Sequence, residues 1–154
     1  MAVFLNNGLI LPSGALKTPD QTIPITDALH LTQKDVREVQ LAVAAVKTGI
    51  ALILDQNELT LQQVDGLIIA GAFGNSLDIT SAKRIGLLPA MDNRKMVFVG
   101  NAALGGAKAL LISRKIRAEV LGMVEEIDYI SLASNPQFQD RFIEALAFPG
   151  QNPS

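Results

Sequence analysis

VDGLIIAGAFGN, residues 64–75, decides how the whole chain is read. Leu67, Ile68, Ile69 and Ala70 form an unbroken apolar run of strand length, the pattern of a strand covered on both faces in a parallel or mixed sheet. The run stops on Gly71-Ala72-Phe73-Gly74, where glycine permits a sharp turn and a close approach of backbone to a ligand. In open α/β sheets ligands collect at the carboxyl ends of strands, so this turn is a candidate nucleotide half-site. A Gly-x-x-Gly turn also serves simply to join a strand to a helix. Phe73 suits either stacking on a base or plugging the core beneath the turn.

Upstream of this strand lies the clearest helix start in the chain. In LTQKDV, residues 31–36, Thr32 can cap the amide of Asp35, the Asp35 carboxylate can reach back to Thr32, and Leu31 can staple onto Val36. Val36, Val39, Val43, Val46, Ile50 and Ile53 then recur at spacings of three and four, predicting one long helix with a continuous apolar stripe. Earlier still, residues 4–11 are apolar on both sides of Asn6-Asn7-Gly8, which predicts a tight hairpin and then a loop to about residue 30. A beginning on so short a hairpin predicts a piece of a larger protein.

Downstream, Asp78 can cap a helix over residues 79–85 that Gly86 and Pro89 end. Residues 96–99 predict a second buried strand, closed by Gly100 and Asn101. A helix of small residues follows to about residue 112, and its Gly105-Gly106 pair suggests backbone contact with a neighbour. Ser113 can cap a further helix, residues 129–132 predict a third strand, and Asn135-Pro136 predicts the start of a last helix. The order of elements predicts a single three-layer α/β domain over residues 1–154, with a core at 31–148 and a tail at 149–154.

Composition limits the chemistry. At 154 residues with 49% hydrophobic content the chain can bury a core without staples. It has no cysteine, so this chain itself can hold neither a disulfide nor a thiolate cluster, and a reducing cytoplasm suits it. A net charge of −2 with interspersed signs gives no footprint for nucleic acid, and no apolar run reaches membrane-spanning length. His30 is the only histidine and stands just outside a helix cap, which excludes a histidine triad or a multi-histidine metal site. Glu125, Glu126 and Asp128 read as a solvated acidic patch. Lys83 and Arg84 suit the negative end of a helix dipole, and Arg84 could alternatively reach a bound anion or ring. There is no phosphate-cradling Gly-x-x-x-x-Gly-Lys loop, and no Gly-x-Gly-x-x-Gly turn of a free-standing dinucleotide binder.

With those residues in place, a family resemblance emerges. LTQKDVREVQLAVAAVKTGI, LIIAGAFGNSLD, SAKRIGLLP, MVFVGNAALGGAKALL and NPQFQDRFIEAL resemble, in order, successive blocks in the C-terminal part of the reductive activators of corrinoid enzymes, over residues 29–148. The resemblance implies the actin-like (ribonuclease H-like) ATPase fold, with a mixed sheet flanked by helices. It implies that Gly71, Ala72, Phe73, Gly74 and Asn75 form the adenosine-side backbone and that Gly100 and Asn101 support it from the neighbouring strand. Ala72 stands where the usual motif has a second glycine, which weakens the expectation of close adenine contact. ATP with Mg2+ and a corrinoid protein are implied for the parent protein, as is a [2Fe–2S] cluster in an N-terminal domain absent here. The Asp-x-Gly phosphate loops of the superfamily are also absent, so the expected piece contributes adenosine contacts and is incomplete for catalysis. The expected partners are a corrinoid protein and the remaining domains of the parent chain, with a homodimer as a further option. A different class of function is a protein-interaction module that docks a corrinoid protein or self-associates, its nucleotide site vestigial.

Overall fold

A computed structural model describes residues 1–71, 76–132 and 134–150. The chain divides into two compact units: Met1–Gln63, Asp78–Met91 and Leu132–Ser154 form one, and Val64–Leu77 with Asp92–Ser131 form the other. The expected readings at Ala72, Phe73, Gly74 and Asn75 lie outside the described residues.

The first unit is organised by helix α2, Gln33–Gln56. Its start is as expected: the Asp35 amide donates to Thr32 Oγ1 at 3.2 Å while the Thr32 amide donates to Asp35 Oδ2 at 2.8 Å, a reciprocal capping box. Those hydrogen bonds, the one from the Thr32 backbone foremost, hold the Asp35 carboxyl below the usual carboxylate range. The buried stripe departs from the expected one. Val36 and Val43 are buried, but Val46 and Ile53 are exposed, and the burial continues through Gln40, Ala44, Thr48 and Leu52. Residues four apart advance about 40° around a helix, so neighbours packed along a four-residue ridge wrap around α2 instead of tracking one straight face.

The chain begins with a helix, α1 (Ala2–Asn6), and not with the expected hairpin. Asn7-Gly8 ends this helix: Gly8 takes φ +70°, its amide donates to Leu5 O at 3.2 Å, and the Leu9 amide donates to Phe4 O at 2.9 Å. A tight hairpin turn and a helix C-terminus both need a residue at positive φ, so Asn-Gly marks either. Burial of Ala2 and Leu5 on one side of the segment decides for the helix. The antiparallel pair in this region falls later, between β1 (Thr22–Pro24) and β2 (His30–Thr32).

Leu5, Ile10, Ile23, Val36 and Phe148 form the core of this unit, with Leu31 and Val39 packed against it. At about 1.5–3 kcal/mol for each buried side chain, this cluster outweighs any single surface interaction. Buried Gln40 ties it together: its Nε2 donates to Ser13 O at 3.1 Å and Leu146 O at 2.8 Å, and its Oε1 accepts from Arg37 Nη1 at 2.8 Å. Helix α6, Phe138–Ala145, packs against α2. It starts two residues after Pro136, because Asn135 is spent on a turn in which its Oδ1 accepts from the Gln137 amide at 2.9 Å.

The second unit holds two parallel strands, β3 (Leu67–Ala70) and β4 (Met96–Gly100), with Leu67 opposite Met96 and Ile68 opposite Val97. The apolar run of β3 is not covered on both faces. Ile68, Val97 and Val99, which share one face by register, are 71%, 53% and 43% exposed. Helices α4 (Ala102–Ile112) and α5 (Arg114–Val124) follow, and neither contains a buried residue. A Cβ on Gly105 or Gly106 would meet nothing within 4 Å, so the expected contact with a neighbour is absent among the described residues. Residues 129–132 form no strand; Tyr129 is exposed and no ladder partner lies beside the segment among the described residues.

Candidate functional site

Two of the expected site residues meet at the carboxyl ends of the parallel strands. The Gly71 amide donates to Gly100 O at 2.7 Å, immediately after a register shift that sets Ala70 opposite Gly100. Gly71 takes φ +115° and Gly100 φ +61°, so both strands turn away through conformations that L side chains adopt rarely. Among the described residues, a Cβ at Gly71 would meet nothing within 4 Å. Glycine is therefore favoured there by the turn, and among the described residues nothing crowds the side a Cβ would occupy.

Asn101 closes β4 and opens α4. Its side chain accepts from the Leu104 amide at 3.0 Å, which fixes the first turn of α4 directly behind the two glycines. The two strand ends and the N-terminus of α4 thus come together at the carboxyl edge of the parallel pair, the edge at which open α/β sheets hold ligands. Among the described residues no group of three or more His, Cys, Asp or Glu side chains stands where it could hold a metal ion.

Lys83 and Arg84 lie in the first unit, on helix α3 (Ile79–Arg84). Asp78 caps α3 by accepting from the Ser81 amide at 2.7 Å, and hydrogen bonds from Ser81 hold its carboxyl below the usual carboxylate range. Gly86 at φ +82° ends the helix as expected, its amide donating to Lys83 O and the Leu87 amide to Ala82 O. The two cations do more than complement the dipole. Lys83 Nζ donates to Met91 O, while Arg84 donates to Asn6 Oδ1 at 2.5 Å and to Pro149 O at 2.7 Å.

A cavity of about 630 Å³ in the same unit is lined by Lys47, Lys83 and Arg84 together with Leu88, Pro89 and Pro149. Sequence reading missed it. The available signal was Lys47 itself, a cation between Ala44 and Thr48 in the buried sector of α2. His30 is exposed on β2 and takes no part in either place.

The strand-end geometry belongs to the class of α/β proteins that the comparisons with known proteins define more narrowly. The family described as "C-terminal domain of RACo the ASKHA domain" matches residues 13–154. A solved structure, "Reductive activator for corrinoid,iron-sulfur protein", superposes with a TM-score of 0.83 at 31% identity, covering 98% of this chain and 27% of that one. "Corrinoid activation enzyme RamQ" of Eubacterium limosum is 38% identical over 119 residues, 77% of this chain and 20% of its own length. "[Co(II) methylated amine-specific corrinoid protein] reductase" of Methanosarcina barkeri is 24% identical over 149 residues, 96% of this chain and 27% of its own length.

The chain therefore has the actin-like ASKHA fold. It belongs to the family of C-terminal ASKHA domains of corrinoid-protein reductive activators, and it spans between a fifth and somewhat over a quarter of the length of these relatives.

Proposed function

We propose that the chain is the adenosine-side part of an ATP-dependent reductive activator of a corrinoid protein. The observation that carries the reading is the pair Gly71 and Gly100, which end two parallel strands at positive φ, bonded to each other, with the N-terminus of α4 behind them. Ala72, Phe73, Gly74 and Asn75 continue from Gly71 and complete the proposed adenosine contacts. Asn101 acts through α4, its side chain being engaged with the Leu104 amide. Magnesium, the phosphate loops and a [2Fe–2S] centre would be supplied by the longer polypeptide, which uses ATP to drive electron transfer to the corrinoid cobalt. Family membership supports the corrinoid protein as partner.

Calorimetric titration with ATP and magnesium tests this division of labour. The 154-residue chain alone is expected to bind weakly and not to hydrolyse, whereas a polypeptide extended to the length of the relatives binds and turns over. Robust hydrolysis by the chain alone would overturn it.

The open face of β3 and β4 supports a second reading, an interaction module that docks a corrinoid protein or another copy of the chain. Replacing Gly74 by a bulky residue in the extended polypeptide separates the two. A nucleotide half-site loses ATP affinity, while an interaction module keeps partner binding and never depended on ATP.

A further inference from the structure

We propose that the cavity beside α2 and α3 is a second ligand site, one that takes a small organic phosphate. It is built wholly within the first unit, and its inference is independent of the nucleotide reading.

Three cations line the cavity, Lys47 from α2 and Lys83 and Arg84 from α3, and among the described residues no aspartate or glutamate does. Its volume of about 630 Å³ falls in the range of small-molecule sites, roughly 300–1,000 Å³. Leu88, Pro89 and Pro149 give it an apolar wall. A dianionic head with a compact apolar body matches both surfaces, since guanidinium and ammonium groups together recognise phosphate oxygens.

Two of the cations are held in place with donors to spare. Lys47 Nζ donates to Ala145 O at 3.0 Å and Ala147 O at 3.2 Å, two of its three N–H groups. Arg84 uses two of its five on Asn6 and Pro149. Lys47 forms no ion pair among the described residues, although Glu144 lines a neighbouring cavity with it. Burial lowers the Lys47 pKa, the mark of an ammonium desolvated without a counter-charge, and a bound anion would supply that charge. Gly86 keeps the wall close: a Cβ there would lie 3.2 Å from the Pro149 ring and 3.3 Å from Lys47 Cδ.

The test is calorimetric titration of the 154-residue chain with inorganic phosphate and with phenyl phosphate, alongside NMR observation of the Lys47 side chain. Both probes are expected to bind, phenyl phosphate more tightly, and saturation should raise the Lys47 pKa. Ala90, exposed on the cavity rim, permits a variant that removes no side-chain hydrogen bond: A90E should weaken both probes about tenfold or more by placing a carboxylate among the cations. Lys47→Met should weaken them similarly, with helical circular dichroism confirming that each variant is folded. Variants at Gly100 should leave phosphate binding unchanged, which separates this site from the nucleotide reading. Absence of heat and of any Lys47 shift with both probes, or affinities unmoved by A90E and K47M, would overturn the proposal.

Discussion

The two units of this chain solve the same problem with unequal means. In the first, Leu5, Ile10, Ile23, Val36 and Phe148 close on one another, and buried Gln40 satisfies backbone groups from both ends of the sequence. In the second, α4 and α5 bury no residue, and Leu111 and Ile112 are 77% and 86% exposed. The first unit closes a cluster of buried apolar side chains; among the described residues the second buries Met96 but leaves Ile68, Val97, Leu111 and Ile112 exposed. The contrast separates residues that specify this chain's own fold from residues available to something outside it.

The sharpest way to break this contrast is at Gly14. It takes φ +82°, and a Cβ there would lie 2.2 Å from Gln40 Oε1. Gly14→Ala combines a left-handed alanine with displacement of the Gln40 amide from Ser13 and Leu146, an expected loss of about 3 kcal/mol measured by urea denaturation. A loss below about 0.5 kcal/mol would show that Gln40 does not organise the unit.

A second substitution should act in the opposite direction. Buried Thr48 has a hydroxyl with no hydrogen-bond partner among the described residues. Thr48→Val removes that unsatisfied group at nearly constant volume, with an expected gain of about 1 kcal/mol in the same assay. Destabilisation would mean that the hydroxyl has a partner.

In the second unit the expected effects are smaller. Leu111→Ser together with Ile112→Ser should change stability by no more than about 0.5 kcal/mol while reducing fluorescence of an apolar dye bound to the chain. A large loss of stability would show that these side chains pack within the chain after all.

The smallest effect is in acid. Asp35 and Asp78 both have folded-state pKa values below their unfolded ones, through the Thr32 and Ser81 hydrogen bonds. Their contribution is complete above the unfolded carboxylate pKa of about 3.9 and disappears as pH falls through the lower folded values. The melting temperature should therefore decline below about pH 4, and Asp35→Asn should flatten the decline, as thermal scans across pH would report.

What the sequence made legible was local chemistry. Thr32 and Asp35, Asp78 and Ser81, and Gly86 after Arg84 each fix a helix end through neighbours within a few positions, so their spacing was sufficient. Asn7-Gly8 was ambiguous because one backbone requirement serves two structures, and only the burial of Leu5 chooses. The direction in which burial winds around α2 depends on what packs against it, which is why Val46 and Ile53 point outward despite perfect helical spacing. For the candidate site, the sequence located the turns after β3 and β4 separately. That Gly71 and Gly100 bond to each other follows from parallel pairing, a long-range fact no local pattern carries. The cation-lined cavity needed three dimensions for the same reason: Lys47 and Arg84 are distant in sequence and share a wall only once α2 and α3 are placed.

The most direct measurement is photoaffinity labelling of the extended polypeptide with an azido-adenine analogue of ATP, followed by peptide mapping. The adenosine assignment predicts covalent label on the segment from Gly71 to Asn75, competed by ATP and diminished when Gly71 is replaced by valine. Label confined to other segments, or incorporation indifferent to competing ATP, would contradict it.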